Sequence, residues 1–443
     1  MKRRQFMSSA LMAGLGTVGV AGCNVITAGS AGSSNKNYAF SKTKLNLNIL
    51  DLRDKYRTDL FSKFLPNMDK FVIDHEFGGF NCSVDIVTGK QLSTNKSAWF
   101  EGRGLWTYSF LYNNLDQNPK YLEIAKKSKD LILKLKPADN SFWPTSFTRE
   151  GKALSGSGDI YTGLFIAEGL AEFAKAAGQP EYTELAKKIV MACLSRFDSL
   201  NYDYYVAYLN SQAPKVPAPR VVGHWMVFLR AATQMLENGP DPDIEKLADR
   251  CMDALLNHHI NPEYQLFNEV LNHDFSRPQN EFGDFAYMGH GIETCWMMMF
   301  EAARRKDQQL FNRTAEIFKR HVNVAHDNVY GGYFRSLDSV VNNVWKVDKV
   351  LWLQEEVLIG TLFLAEHTGD SWAQKCFSET FEYVNKNFDR PGYAFWPAGG
   401  DRYMKEHQKN RAEHYHHPRH LMLNLLSLNR MIERKGKISE LFG

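Results

Sequence analysis

The chain is 443 residues long, with 53 Lys and Arg against 50 Asp and Glu, a formal charge of +3, 44% hydrophobic residues and six cysteines. So balanced a charge leaves no broad basic field of the kind that nucleic-acid binding needs, and the composition is that of neither a disordered nor a disulfide-stapled chain. The length holds two or three average domains or one large closed architecture.

The first residues read as an address. Lys2, Arg3, Arg4, Phe6 and Met7 make a basic twin-arginine start, and the Gly/Ala-rich apolar stretch from about Ala10 to Ala21 is too short to span a membrane. That stretch ends in Val20-Ala21-Gly22-Cys23, which has the form of a bacterial lipobox, so residues 1–23 are expected to be a lipoprotein signal with the lipid on Cys23. Residues 24–45, with Gly29, Ser30, Gly32, Ser33 and Ser34, read as a flexible tether, and residues 46–443 as one folded domain. The expected location is the periplasmic side of the envelope, with the membrane reached only through Cys23. The other cysteines, Cys82, Cys193, Cys251, Cys295 and Cys376, are an odd, scattered set without CxxC spacing, which suits buried small hydrophobes rather than disulfides or a zinc site.

Short aromatic turn segments then recur along the chain, at Phe80, Phe142, Tyr205, Phe267, Tyr333 and Phe395, with intervals of 62, 63, 62, 66 and 62 residues. After each anchor come roughly twenty mixed residues and then an apolar helical stretch, whose stop chemistry is visible at Gly178 with Pro180, at Gly239 with Pro240, and at Gly369. A more charged, amphipathic helix follows, as in Tyr121 to Lys127 and Ile244 to Arg250, so one of its faces meets water. Six units of one buried and one surface helix predict an all-α (α/α)6 toroid; an open solenoid, the competing architecture, is built from shorter units of about 20 to 45 residues.

Chemically able residues share one offset in this frame. Arg103 and His290 lie 23 residues past their anchors, Trp352 and Glu356 lie 19 and 23 past theirs, His224 lies 19 past and His416 lies 21 past; the second unit has Tyr161 and Phe165 at 19 and 23. In a toroid one offset means one end of the axis, so these side chains should converge on a funnel. His290 and Glu293 are i,i+3, and Trp352 and Glu356 are i,i+4, so each pair shares a helix face that is otherwise apolar, where carboxylates rarely point unless paired or used. A lone histidine such as His224 can equally be a satisfied core residue, and Arg103 a structural ion-pair partner. The run His407, His414, His416, His417, His420 suggests a metal, yet no second cluster of Cys, Asp or spaced His accompanies it, so no metal is expected. No GxGxxG and no GxxxxGK[ST] occurs, so neither a dinucleotide nor a phosphate cradle is encoded.

The stretches Trp99-Phe100-Glu101-Gly102-Arg103-Gly104-Leu105-Trp106, Gly289-His290-Gly291-Ile292-Glu293, Lys349-Val350-Leu351-Trp352-Leu353-Gln354-Glu355-Glu356 and Tyr415-His416-His417-Pro418-Arg419 resemble, jointly and in order, the signature stretches of the N-acylglucosamine 2-epimerase family. With Glu76-Phe77-Gly78-Gly79-Phe80 in front, the resemblance runs from about residue 50 to 435. It implies an (α/α)6 barrel and interconversion of sugars at C2: N-acetylglucosamine with N-acetylmannosamine first, with cellobiose-type epimerisation or aldose–ketose isomerisation as alternatives. It further implies that His290 and His416 are paired acid/base histidines and that Arg103, Glu293, Trp352 and Glu356 bind or assist the substrate. The family's usual tandem tryptophan is Leu351-Trp352 here, and His224 sits where members differ most, a secondary substrate position.

The chemistry fits these residue types. Epimerisation needs a base on one face of C2 and an acid on the other, which two imidazoles titrating near neutrality supply. Arg103 is the permanent cation that can stabilise an enediolate, and Glu293 and Glu356 can help ring opening or hold hydroxyls. No redox cofactor or metal is called for. The partner is a small carbohydrate, with no nucleic acid and with a homodimer left open. Two other classes compete: an inverting glycoside hydrolase using Glu293 and Glu356, whose carboxylates would stand about 6.5–9.5 Å apart, and a lipid-anchored sugar-binding protein.

Overall fold

The computed structural model describes residues 47–138, 142–204 and 216–442; the signal segment with Cys23, the tether and the anchor Tyr205 lie outside the described residues. The chain enters through α1 (Ile49–Arg57), a π-helical stretch (Thr58–Phe64) and α2 (Leu65–Phe71). Inner and outer helices then alternate: α3 (Ala98–Asn114) and α4 (Pro119–Lys134), α5 (Ile160–Ala177) and α6 (Glu181–Asp198), α7 (Val222–Asn238) and α8 (Pro242–Asp253), α9 (Met288–Arg305) and α10 (Gln308–Ala325), α11 (Leu351–Thr368) and α12 (Ser371–Phe388), and finally the inner α13 (His416–Glu433). Each inner helix packs on the next, α13 packs back on α3, and α13 takes its outer partner from α1 at the start of the domain. The ring therefore closes, an (α/α)6 barrel rather than an open solenoid.

Burial follows the sequence pattern. Every residue of α5 from Ile160 to Ala174 is buried, as an inner helix requires, whereas α8 buries Ile244, Leu247, Ala248 and Cys251, an i, i+3, i+4, i+7 stripe. Gly178 and Gly369 end α5 and α11 in the left-handed conformation. Asp159, Asp241, Asp307 and Asp370 cap the starts of α5, α8, α10 and α12. The cysteines at 82, 193, 251, 295 and 376 are free and buried, as expected. No described helix is long and apolar enough to cross a membrane.

The recurring aromatic turn has a mechanical cause. The backbone N–H of Phe80 donates to Glu101 Oε1 at 3.0 Å, and that of Tyr333 to Gln354 Oε1 at 2.8 Å, so each anchor is tied to the first turns of the inner helix that follows it. Beneath these turns sit two matching buried clusters 253 residues apart. Lys96 pairs with Asp74 at 2.9 Å and Arg149 grips the same carboxylate at 2.7 and 2.8 Å; Lys349 pairs with Asp327 at 3.0 Å and Arg402 grips it at 2.9 Å twice. They fix the loops at the end of the barrel where the inner helices begin.

Short antiparallel pairs decorate that end, among residues the sequence pattern leaves unassigned. β1 (Lys96–Ser97) pairs with β2 (Ser146–Phe147), β3 (Arg220–Val221) with β4 (Val270–Leu271), β5 (Ser336–Ser339) with β6 (Val344–Lys346), and β7 (Lys349–Val350) with β8 (Gly399–Gly400). β1, β3 and β7 each run directly into an inner helix, which sets the depth at which that helix's first side chains enter the funnel.

Candidate active site

The first turns of the inner helices bring the residues of the common offset into one closed circuit. Arg103 on α3 lies over Phe165 at 4.1 Å and over Tyr415 at 4.7 Å. Tyr161, one turn before Phe165 on α5, stacks on His224 of α7 with ring centroids 4.3 Å apart. A Cβ on Gly223 would stand 2.8 Å from His290 Cε1, so the imidazole of α9 packs directly on the backbone of α7. His290 neighbours Trp352 of α11 at 6.2 Å, Trp352 neighbours His416 of α13 at 5.3 Å, and Tyr415 beside it returns to Arg103. Gly289 makes room for Trp352, whose Cη2 would lie 2.3 Å from a Cβ there. Arg103, Tyr161, Phe165, His224, His290, Trp352 and His416 are thus gathered as the repeat predicts.

Both histidines expected to form an acid/base pair are oriented by carboxylates. His290 Nδ1 lies 2.8 Å from Glu269 Oε1, and His416 Nδ1 lies 2.9 Å from Glu356 Oε1. With its proton on Nδ1, donated to the carboxylate, each neutral ring carries its lone pair on Nε2; at His416 the Arg419 Nη2 also lies 3.1 Å from Nδ1. Their electrostatics differ. Burial opposes charge on His290, but Glu269 outweighs it through charge and hydrogen bond, and the pKa rises. Burial also opposes charge on His416, the Arg419 guanidinium adds to it, and the pKa falls to about 3. At neutral pH His416 is therefore a neutral imidazole, while His290 holds a proton more firmly than an ordinary imidazole.

Arg419 organises the other carboxylates. Its Nη2 donates to Glu293 Oε1 at 2.5 Å and to Glu356 Oε1 at 2.6 Å, and Trp296 Nε1 donates to Glu356 Oε2 at 2.6 Å. The ligand atoms of Glu293, Glu356 and His416 lie within 4.8 Å of one another, close enough to suggest a metal, but the guanidinium already occupies their common point. The same spacing is below the 6.5–9.5 Å of an inverting carboxylate pair, and Glu356 is wholly buried behind His416. Glu356 therefore holds His416 rather than facing the open funnel.

Arg103 carries no ion pair among the described residues. Its cation rests on aromatic faces, and its buried Nε has no hydrogen-bond partner there. Such a cation is available to charge that develops on a ligand. His224 is enclosed by Tyr161, Tyr202 and Tyr204, with Tyr202 Oη 3.1 Å from its Nε2, and burial drives its pKa down to about 3. It forms a neutral part of the wall.

The sequence pattern missed Glu269 and Arg419. Glu269 lies in the loop between anchor and helix, outside the shared offset, and its only signal was a carboxylate just before the apolar pair Val270-Leu271. Arg419 lies one turn past His416 inside a quoted motif, where an i,i+3 cation near two expected carboxylates was legible.

A family model described as N-acylglucosamine 2-epimerase (GlcNAc 2-epimerase) matches residues 78–418. The chain is similar to an N-acylglucosamine 2-epimerase of Bos taurus, 24% identical over 357 residues that cover 76% of this chain and 82% of the relative. It is also similar to a cellobiose 2-epimerase of Bacteroides fragilis, 21% identical over 367 residues covering 79% and 92%. Among solved structures it resembles a sugar epimerase from a ruminal bacterium, with TM-score 0.73 and 18% identity over 84% of this chain and 98% of that one.

Proposed function

The chain belongs to the N-acylglucosamine 2-epimerase family and is a carbohydrate epimerase of the isomerase class, and from that premise we propose that it inverts C2 of a ring-opened sugar through an enediolate, with His290 and His416 as the acid/base pair. The observation that carries this reading is the contrast between two imidazoles set in one circuit: each is held at Nδ1 by its own carboxylate, one raised and one lowered in pKa. His416 takes the C2 proton through Nε2, and His290 returns a proton to the opposite face. The reverse reaction uses the same singly protonated pair with the proton on the other ring. Arg103 meets the enediolate oxygens, and the stabilisation grows as charge develops there. Glu293, half of the Arg419 clamp, and Trp352, whose ring neighbours both histidines, complete the wall that orients the sugar.

Among substrates we place the N-acetylglucosamine/N-acetylmannosamine pair first, because the matched family model and the Bos taurus relative carry that description. Cellobiose stands second, on the Bacteroides fragilis relative. The deciding experiment incubates the protein with N-acetylglucosamine, N-acetylmannosamine, mannose, glucose and cellobiose in D2O, following C2 deuteration and products by NMR. Deuterium at C2 together with the C2 epimer of one sugar is expected. A ketose product would move the assignment to aldose–ketose isomerisation, and cleavage of cellobiose to a glycosidase. We further propose, from Arg3, Arg4 and Cys23, that the protein is exported and held at the envelope by a lipid.

A further inference from the structure

Consecutive residues of a helix point about 100° apart, so Glu355 looks away from the funnel that its neighbour Glu356 serves. It is wholly buried, and two histidines of α13 turn their Nδ1 atoms toward it: His417 at 2.5 Å and His420 at 3.4 Å from Glu355 Oε1. The three ligand atoms lie within 4.8 Å of one another. In the Glu293, Glu356 and His416 group a guanidinium fills the centre; here, among the described residues, no Lys or Arg lies within ion-pair distance of Glu355, and its second oxygen, Oε2, is buried without a hydrogen-bond partner. An anionic carboxylate buried with two imidazoles and an idle oxygen is an electrostatic hole of the kind that a divalent cation fills.

Two further features suit a metal. The far nitrogen of His420, Nε2, lies 2.8 Å from Tyr56 Oη, which also accepts from Asn424 Nδ2 at 3.0 Å. With Nδ1 on a metal the proton sits on Nε2 and donates to Tyr56, the outer partner that orients a metal-bound imidazole. His417 also lines a cavity of about 210 Å³ shared with Phe64, Leu351, Trp396 and Glu413, so one of the three ligand residues borders open space.

We propose that Glu355, His417 and His420 form a binding site for a zinc-class divalent cation, separate from the epimerase site and joining α11 to α13. Imidazole and carboxylate are zinc ligands, and three of them with one open position are a common coordination set. The run His407 to His420 had offered no second cluster in the sequence; the missing ligand comes from the neighbouring inner helix. A cation here pins the helix that carries His416 to the helix that carries Glu356.

The test uses the chelator-stripped full-length protein. Zn2+ is titrated against a chromophoric competitor, retained metal is measured by mass spectrometry after dialysis, and Co2+ is used for its tetrahedral absorption. One equivalent retained per chain, with a tetrahedral Co2+ spectrum, is expected. His420→Ala and Glu355→Gln should each weaken binding by more than about 100-fold and Tyr56→Phe by about 10- to 100-fold, while His416→Asn binds as before. Failure of the folded wild-type protein to retain metal overturns the proposal whatever the variants do. So does loss of binding in His416→Asn with retention in His420→Ala, which would place the cation among Glu293, Glu356 and His416.

Discussion

Glu269 and Glu356, 87 residues apart and on different sides of the funnel, hold the two site histidines in the same way, each accepting from an imidazole Nδ1 at 2.8 and 2.9 Å. Glu356 also accepts from the guanidinium of Arg419 at 2.6 Å. The pKa values of the pair separate: His290 is raised against its burial by Glu269, and His416 is lowered to about 3 by burial and Arg419.

A pH profile follows with a definite sign. If the pair works as proposed, turnover needs one proton on it, so kcat/KM should rise through an acid limb as His416 deprotonates and fall through an alkaline limb as His290, raised by Glu269, loses its proton. Both epimers should give the same limbs, since both directions use the same protonation state. Glu269→Gln removes the charge that raises His290 and should shift the alkaline limb to lower pH, with kcat at neutral pH reduced more than KM is raised. An unmoved alkaline limb in Glu269→Gln would assign it to another group.

Arg103→Lys tests the enediolate cation. Lysine keeps the charge but lacks the planar fork and its stacking on Phe165 and Tyr415, so kcat should fall far more than KM rises. A change confined to KM would make Arg103 a ground-state binder.

The toroid and most of the funnel were legible because they rest on periodic features. Anchors near 62-residue spacing and left-handed stops at Gly178 and Gly369 state the helix order directly, and a common offset places Arg103, His290, Trp352, Glu356 and His416 at one end of the axis. What escaped are groups whose partners lie off that period. Glu269 reaches His290 from a loop, and Arg419 meets Glu293 and Glu356 from two other helices. Glu355 and Glu356 are adjacent in sequence yet serve different histidines of α13 from different faces of α11. Such pairings depend on helix rotation and depth, which the short strand pairs before α3, α7 and α11 set and which no single helix encodes.

Arg419 should prove structural as well as electrostatic. Arg419→Met strands two buried carboxylates and is expected to destabilise the fold by about 3–5 kcal/mol in urea unfolding. Adding Glu356→Gln to that variant should recover part of the loss, because one uncompensated charge is gone. A double variant no more stable than Arg419→Met would mean that packing against Trp296 and Tyr415, rather than charge, carries the effect.

Cys23→Ala addresses location. If Cys23 carries a lipid, the variant should leave the envelope membrane fraction and appear in the soluble periplasmic fraction with its activity intact. Unchanged membrane association would remove the lipobox from the account.

The two-base mechanism makes the sharpest demand. If His290 and His416 lie on opposite faces of C2, each should act as base toward one epimer and as acid toward the other. Asparagine keeps approximate size and polarity but moves no proton, so net epimerisation should collapse in both His290→Asn and His416→Asn. The surviving histidine can still remove the C2 proton from the epimer presented to it and return a solvent deuteron to the same face. Each variant should therefore keep slow C2 exchange in D2O with one epimer only, and the two variants should prefer opposite epimers. Exchange of the same epimer by both variants, or near-normal turnover in either, would replace the pair with a single base that shuttles a proton between C2 and C1.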